Sequence, residues 1–394
     1  MDQHLTEIVQ DLIRLESEAP PGREAGTGEY IYDFLKEAGL KPHRQYCTPD
    51  RFNVTAELGR GDEGSLSFLY CGHMDVVPAG ETSAWTTPPY EPNIREGRLY
   101  GRGACDMKGS LACALYAAKQ LASRSDQFSG RLQLFFDVDE EHRNIGLWRF
   151  LKDNPSADFV IVGEPTDMEI ALGHRGVMAF EITFTGKSAH AARPGEGNNA
   201  IYAAGSFIAR IQKLQEEMDA AWKSGSTDIR LPSSAVQVTV IKGGTKVNMI
   251  PQECTTELDC RLGMGETQES MEEKIRQILE QVSEESGCGY SFRRLTSCPA
   301  GWCSPDGSEI AAIEEILMEY RGRQPVPGVF GASCEAGLLQ KYLNAPAVIL
   351  GPGSIRQAHV TDEYITLSQL EEGAYLYTRI FEKLMNAKVQ KRSE

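Results

Sequence analysis

Residues 65–75 read SLSFLYCGHMD, an apolar run that ends on a histidine and an aspartate. Residues 131–141, RLQLFFDVDEE, repeat that plan with two acids. Residues 158–164, DFVIVGE, end on one acid, and residues 345–359, APAVILGPGSIRQAH, on a histidine. Short runs this apolar suit strands buried on both faces, and so a mostly parallel sheet flanked by helices. In an open α/β sheet, side chains distant in sequence meet in the crevice beyond the carboxyl ends of the strands. His73, Glu141, Glu164 and His359 are expected there, with Asp106 from the glycine-flanked turn GRGACDMKG and Glu140 beside Glu141. Imidazoles and carboxylates are ligands for zinc, cobalt or manganese. Five ligands are one too many for a closed four-coordinate site. They suit two ions that share a bridging carboxylate, the arrangement of two-metal hydrolysis.

Several of these residues have plainer readings. An aspartate in a turn is often a helix cap, adjacent acids are usually a solvated helix start, and a lone histidine is usually structural. His4, His43, His142 and His174 are read as structural. His73 is not, because the apolar strand before it and Asp75, two residues on and on the same face of a strand, favour an oriented ligand.

Around this core, LTEIVQDLIRL (5–15), GEYIYDFLKEAGL (28–40) and LACALYAAKQLAS (111–123) have helical spacing, and Gly39 is placed to end the second helix. After Gly176 the pattern changes. VMAFEITFTG, AVQVTVIKGG, ECTTELDCRL and YSFRRLT alternate as half-exposed strands, and helices 199–218 and 267–286 lie between them. The order β-α-β-β-α-β is the ferredoxin-like unit. The expected architecture is a discontinuous α/β metal-binding domain, residues 1–176 and 293–394, with an inserted α+β lid or dimerisation domain, 177–292.

The 394 residues carry a formal charge of −16 without basic runs, which argues against nucleic-acid binding and attachment to anionic membranes. MDQHLTEIVQDLIRLES reads as an acidic amphipathic helix and not as a signal peptide. Ten cysteines without CxxC spacing read as buried thiols in a reducing compartment. The expectation is a cytoplasmic enzyme.

GHMDVVPAG, LYGRGACDMKGSLA, DEEHRNIG, VGEPTDMEIALGHRG and TGKSAHAARPGEGNNAI, in that order, resemble the co-catalytic zinc aminoacylase and carboxypeptidase family. The resemblance implies that His73 and Glu164 hold one metal, Glu141 and His359 the other, and Asp106 bridges them. It implies Glu140 as general base, Asp75 as the group orienting His73, and a cis Asp106–Met107 peptide. His190 is implied to reach across a homodimer to stabilise the oxyanion of the other subunit's substrate. Asn248 and Arg261 are implied to grip the substrate carboxylate; by pattern alone Arg261 also reads as a surface strand residue. Within the family, FGASCEAGLL and GPGSIRQAHVTDEYI are most similar to the acetylornithine deacetylase branch. That implies deacetylation of N-acetylornithine, with Glu335 and Glu363 as candidates to pair the substrate amine. The alternatives for these two acids are a helix start for Glu335 and support of His359 by Glu363. Succinyl-diaminopimelate desuccinylase, aminoacylase and dipeptidase or carboxypeptidase activities are the alternatives on the same scaffold. A metal-binding protein without catalysis would lack the base or a ligand, and here all are present.

Overall fold

The computed structural model describes residues 3–225, 233–263 and 265–388. The chain divides into two compact units, Met1–Gly173 with Trp302–Glu394, and His174–Gly301.

In the first unit a mixed sheet runs in the spatial order His43–Tyr46, Phe52–Leu58, Arg131–Asp137, Ser67–His73, Phe159–Val162, Ala347–Ile349, Ala171–His174. Its four central strands, from Arg131–Asp137 to Ala347–Ile349, are mutually parallel, and the strands outside them pair antiparallel. Register brings the ends of the central strands level. His73 pairs with Asp137, Cys71 with Val162, and Ile349 with Val162. The residues that follow each strand therefore emerge along one edge.

The helix Lys108–Ala122 is rich in alanine and buried along almost its whole length, among elements that include the helix Leu367–Met385. Small side chains permit that close approach. Tyr70, Phe136, Tyr377 and Phe381 fill the layer between sheet and helices, and each such apolar group contributes roughly 1.5–3 kcal/mol on full burial. Their polar tips are satisfied in series. Tyr70 Oη lies 2.9 Å from Ser110 Oγ, which lies 2.9 Å from Tyr377 Oη, and Tyr377 donates to the Leu350 carbonyl at 2.6 Å. Gly39, at φ 88°, follows the helix Ala25–Glu37, as its position in the sequence predicts.

The second unit is an antiparallel sheet in the order Ala235–Gly243, Glu253–Leu262, Gly176–Thr185, Gly289–Cys298, with helices Ala200–Gly225 and Gln268–Ser286. Met178, Phe180, Ile182 and Phe184 alternate onto one face and bury against Phe207, Ile275 and Leu279. Thr267 and Ser270 close a capping box at the start of the second helix. The boundary expected at residue 293 needs correction. It falls inside the strand Gly289–Cys298, which pairs with Gly176–Thr185 over its length, so the first unit resumes only at Trp302.

Candidate metal centre

The ligand candidates gather at the carboxyl edge of the parallel strands. His73 Nε2 lies 3.1 Å from Asp106 Oδ1 and 3.6 Å from Glu164 Oε1. On the other side, His359 Nε2 lies 3.3 Å from Asp106 Oδ2 and 3.0 Å from Glu141 Oε1. Asp106 thus offers one oxygen to each group. Donors bound at 2.0–2.1 Å around a tetrahedral ion lie about 3.3 Å apart, so these separations fit two dications that share Asp106. The Asp106–Met107 peptide is cis.

The electrostatics are those of a cation site. Burial alone would raise the Asp106 carboxyl, but hydrogen bonds from His359 and His73 outweigh it and hold it well below the usual range. His359 is pushed up to about 10, by Asp106 first and Glu141 second. Glu140 and Glu164 are driven well up, chiefly by burial and then by neighbouring acids. Among the described residues no arginine or lysine forms an ion pair with Glu140, Glu141 or Glu164.

The Asp75 side chain is not the hydrogen-bond partner of the His73 imidazole. His73 Nδ1 donates to the main-chain oxygen of Asp75 at 2.9 Å, while the Asp75 carboxylate stands 3.9 Å from that nitrogen. The carboxylate instead accepts the backbone N–H groups of Glu140 (3.1 Å) and Glu141 (3.0 Å). Asp139, at φ 71°, turns the chain just before them, and Arg51 ties its side chain to Glu24. The Arg51 contact carries no signal in the sequence, because it joins residues 88 positions apart.

Glu335 stands at the N-cap position of the helix Ala336–Leu343, where its carbonyl accepts Leu339 N–H at 2.9 Å, while its side chain makes no capping hydrogen bond and is only 1% exposed. Its Oε1 faces Cys71 Sγ at 4.0 Å, and it groups with Glu140 and Glu164 beneath the ligand set. Asp137 lies against it with neither carboxylate oxygen hydrogen-bonded, and burial, then the charge of Glu335, drives the Asp137 carboxyl well up. Glu363 also faces inward. It accepts hydrogen bonds from the turn that carries Asp106 and contacts neither His359 nor open solvent.

In the second unit, the short strand Ala189–His190 pairs with Met249–Ile250. Ala191 N–H donates to the Asn248 carbonyl at 3.0 Å, which brings His190 and Asn248 together, both exposed. Arg261 opposes Val177, at the other end of Gly176–Thr185 from the loop that leads to His190, and is held bidentately by Asp259. Arg175 lies close enough for Arg261 to depress its basicity, after burial, and its Nε is buried without a partner. His174 donates to the Arg175 carbonyl, in keeping with a structural role.

A family model described as Peptidase family M20/M25/M40 matches residues 69–383. The chain belongs to that family. M20 members are metal-dependent hydrolases of amide or peptide bonds, and this chain is one of them. A succinyl-diaminopimelate desuccinylase of Parvibaculum lavamentivorans is 31% identical over 388 residues, covering 95% of this chain and 94% of that protein. The M20 fold is shared with aminopeptidase PepT of Bacillus cereus (TM-score 0.80, 19% identity, 97% of this chain and 98% of that one). The M20 metallo-carboxypeptidase Sso-CP2 of Sulfolobus solfataricus is similar too (TM-score 0.78, 20% identity, 98% and 100% covered). So is the YXEP protein of Bacillus subtilis, a dinuclear metal binding peptidase (TM-score 0.71, 20% identity, 97% and 96% covered).

Proposed function

We propose that the protein hydrolyses the amide of an N-acyl amino acid rich in carboxylates, of the N-succinyl-diaminopimelate type. The observation that carries this reading is the 31% identity, over 95% of the chain, to a desuccinylase. Arg175 and Arg261, near enough for their charges to interact, support it, since guanidinium groups suit a substrate with several carboxylates. N-acetylornithine is the second reading, favoured by the resemblance of FGASCEAGLL and GPGSIRQAHVTDEYI to the acetylornithine deacetylase branch.

His73, Asp106 and Glu164 would hold one divalent ion, and Asp106, Glu141 and His359 the other; zinc, cobalt and manganese all suit these donors. Bound there, the ions supply Lewis-acid polarisation of the amide carbonyl and a more acidic attacking water. Glu140 takes the proton of that water and returns it to the leaving amine. Burial and the neighbouring Glu335 raise its proton affinity, as a base near neutral pH requires. His190 hydrogen-bonds the oxyanion, and Arg261 and Asn248 hold the substrate carboxylate.

The strand Gly176–Thr185 is about 30 Å long at roughly 3.4 Å per residue, and Arg261 and His190 lie toward opposite ends of it. One copy of the second unit therefore does not bring both to one substrate. That supports a homodimer in which His190 serves the other subunit. Among the described residues no helix is long and apolar enough to cross a membrane, and all ten cysteines are free.

The test is deacylation by metal-stripped protein reconstituted with zinc or cobalt. The panel is N-succinyl-diaminopimelate, N-acetylornithine, N-acetylmethionine and a dipeptide. Preference for the succinyl substrate is expected. Preference for N-acetylornithine would overturn the substrate reading and leave the amide chemistry in place.

A further inference from the structure

We propose that Glu363 is a positioning residue for the whole metal centre, locking the turn that carries Asp106 to the segment that carries His359. The proposal rests on the two-ion reading above. Glu363 is fully buried. Its Oε1 accepts the N–H groups of Cys105 (2.8 Å) and of Asp106 itself (3.0 Å). Its Oε2 accepts Gly103 N–H (3.0 Å) and Arg102 Nη1 (2.7 Å). The backbone adds to this, because Gly101 N–H donates to the Glu363 carbonyl at 3.0 Å. Arg102 Nη1 also reaches the Val360 carbonyl at 3.2 Å. Residues 101–106 and 360–363 are thus laced together immediately beside the bridging carboxylate.

The ligand that depends on this lacing is His359. The His73 side chain is 1% exposed and wedged at a strand end, whereas that of His359 is 53% exposed. Its ring touches only Asp106 and Glu141 among the ligand candidates, and its backbone stands at φ 61°. Little packing fixes its place relative to Asp106, so the loop behind it must. Asp362 anchors that loop on the other side by accepting Thr86 N–H at 2.8 Å. A carboxylate is required at 363 because three converging N–H groups and a guanidinium need acceptors on both oxygens; an amide would turn an NH2 toward donors.

The experiment is calorimetric zinc titration of the metal-stripped full chain, with the cobalt absorption spectrum as a report on ligand geometry. The variants are Glu363→Gln, Glu363→Asp and Arg102→Gln. Losing a group that orients ligands typically costs about 10–100-fold in metal affinity. We expect such a loss for the more weakly held ion, with an altered cobalt spectrum, in both Glu363 variants. Arg102→Gln breaks the same ion pair but leaves the three backbone hydrogen bonds, so its loss should be clearly smaller at a comparable drop in melting temperature. Glu363→Asp keeps the charge and guards against a Gln variant that fails to fold. Wild-type affinity and spectrum in Glu363→Asp, or an equal loss in Arg102→Gln, overturns the proposal. Fewer than two ions bound by the wild-type chain would instead overturn the two-ion reading itself.

Discussion

The Asp75 carboxylate takes the backbone N–H groups of two consecutive glutamates, so one side chain positions both the proposed base, Glu140, and a ligand candidate, Glu141. Glu140→Gln removes the proposed base while leaving the five ligand candidates in place. It should bind two metals with near wild-type affinity and lose at least about 100-fold in turnover, the lower end of what a general base contributes. Metal analysis beside steady-state kinetics checks this, and near-normal turnover would remove Glu140 from the mechanism. The same cluster sets a pH dependence in the metal-free protein. Burial, with Glu141 and Glu24, pushes Asp75 up to about 7 against the pull of His73. An unfolded aspartate titrates near about 3.9, so between those values the folded chain binds more protons and stability falls as pH rises. Glu140, Glu164 and His359, also raised, act in the same sense; Asp106 acts in the opposite one only below the unfolded aspartate range, and Lys108, lowered to about 7 by burial, only above neutral pH. Chelator-treated protein should melt higher at pH 5 than at pH 7.5, and added zinc should raise the melting temperature more at pH 7.5. A flat or inverted profile would contradict these shifts.

At the scale of elements, the ends of the parallel strands are what bring the site together, and they pack without slack. A Cβ on Gly351 would lie 2.2 Å from the Gly163 carbonyl oxygen and 2.5 Å from that of Glu164. Backbone cannot yield as a flexible side chain does. Gly351→Ala should therefore destabilise the fold by about 1–3 kcal/mol, read from the urea midpoint, and weaken metal binding through Glu164. These strands were legible because apolar runs such as FVIV end abruptly in acids or histidines, so the edge carrying His73, Glu141, Glu164 and His359 could be read before any coordinates. Asp139–Arg51 and the inward turn of Glu335 and Glu363 were not legible. Each depends on which way a loop side chain rotates, and no periodicity records that.

At the scale of the whole chain, the second unit is an insertion with its own core. Val177 and Cys298, near its two ends, are paired in register, and in the first unit Cys303 N–H donates to the Leu172 carbonyl at 2.8 Å. Each side of the break is thus closed on itself. Residues 174–301 expressed alone should give a cooperative thermal transition with mixed helix and strand circular dichroism. A molten, non-cooperative product would show that this core needs the rest of the chain. The sequence by itself determined the fold class, the insertion and the ligand candidates, because strand and helix periodicities and the order of motifs are local and survive in one dimension. Only the tertiary structure decided which acids face the ligands and which turn away, and where the first unit resumes. It also decided what fixes Asp106. Those outcomes depend on burial and on hydrogen bonds between residues hundreds of positions apart, which exist only once the chain has folded.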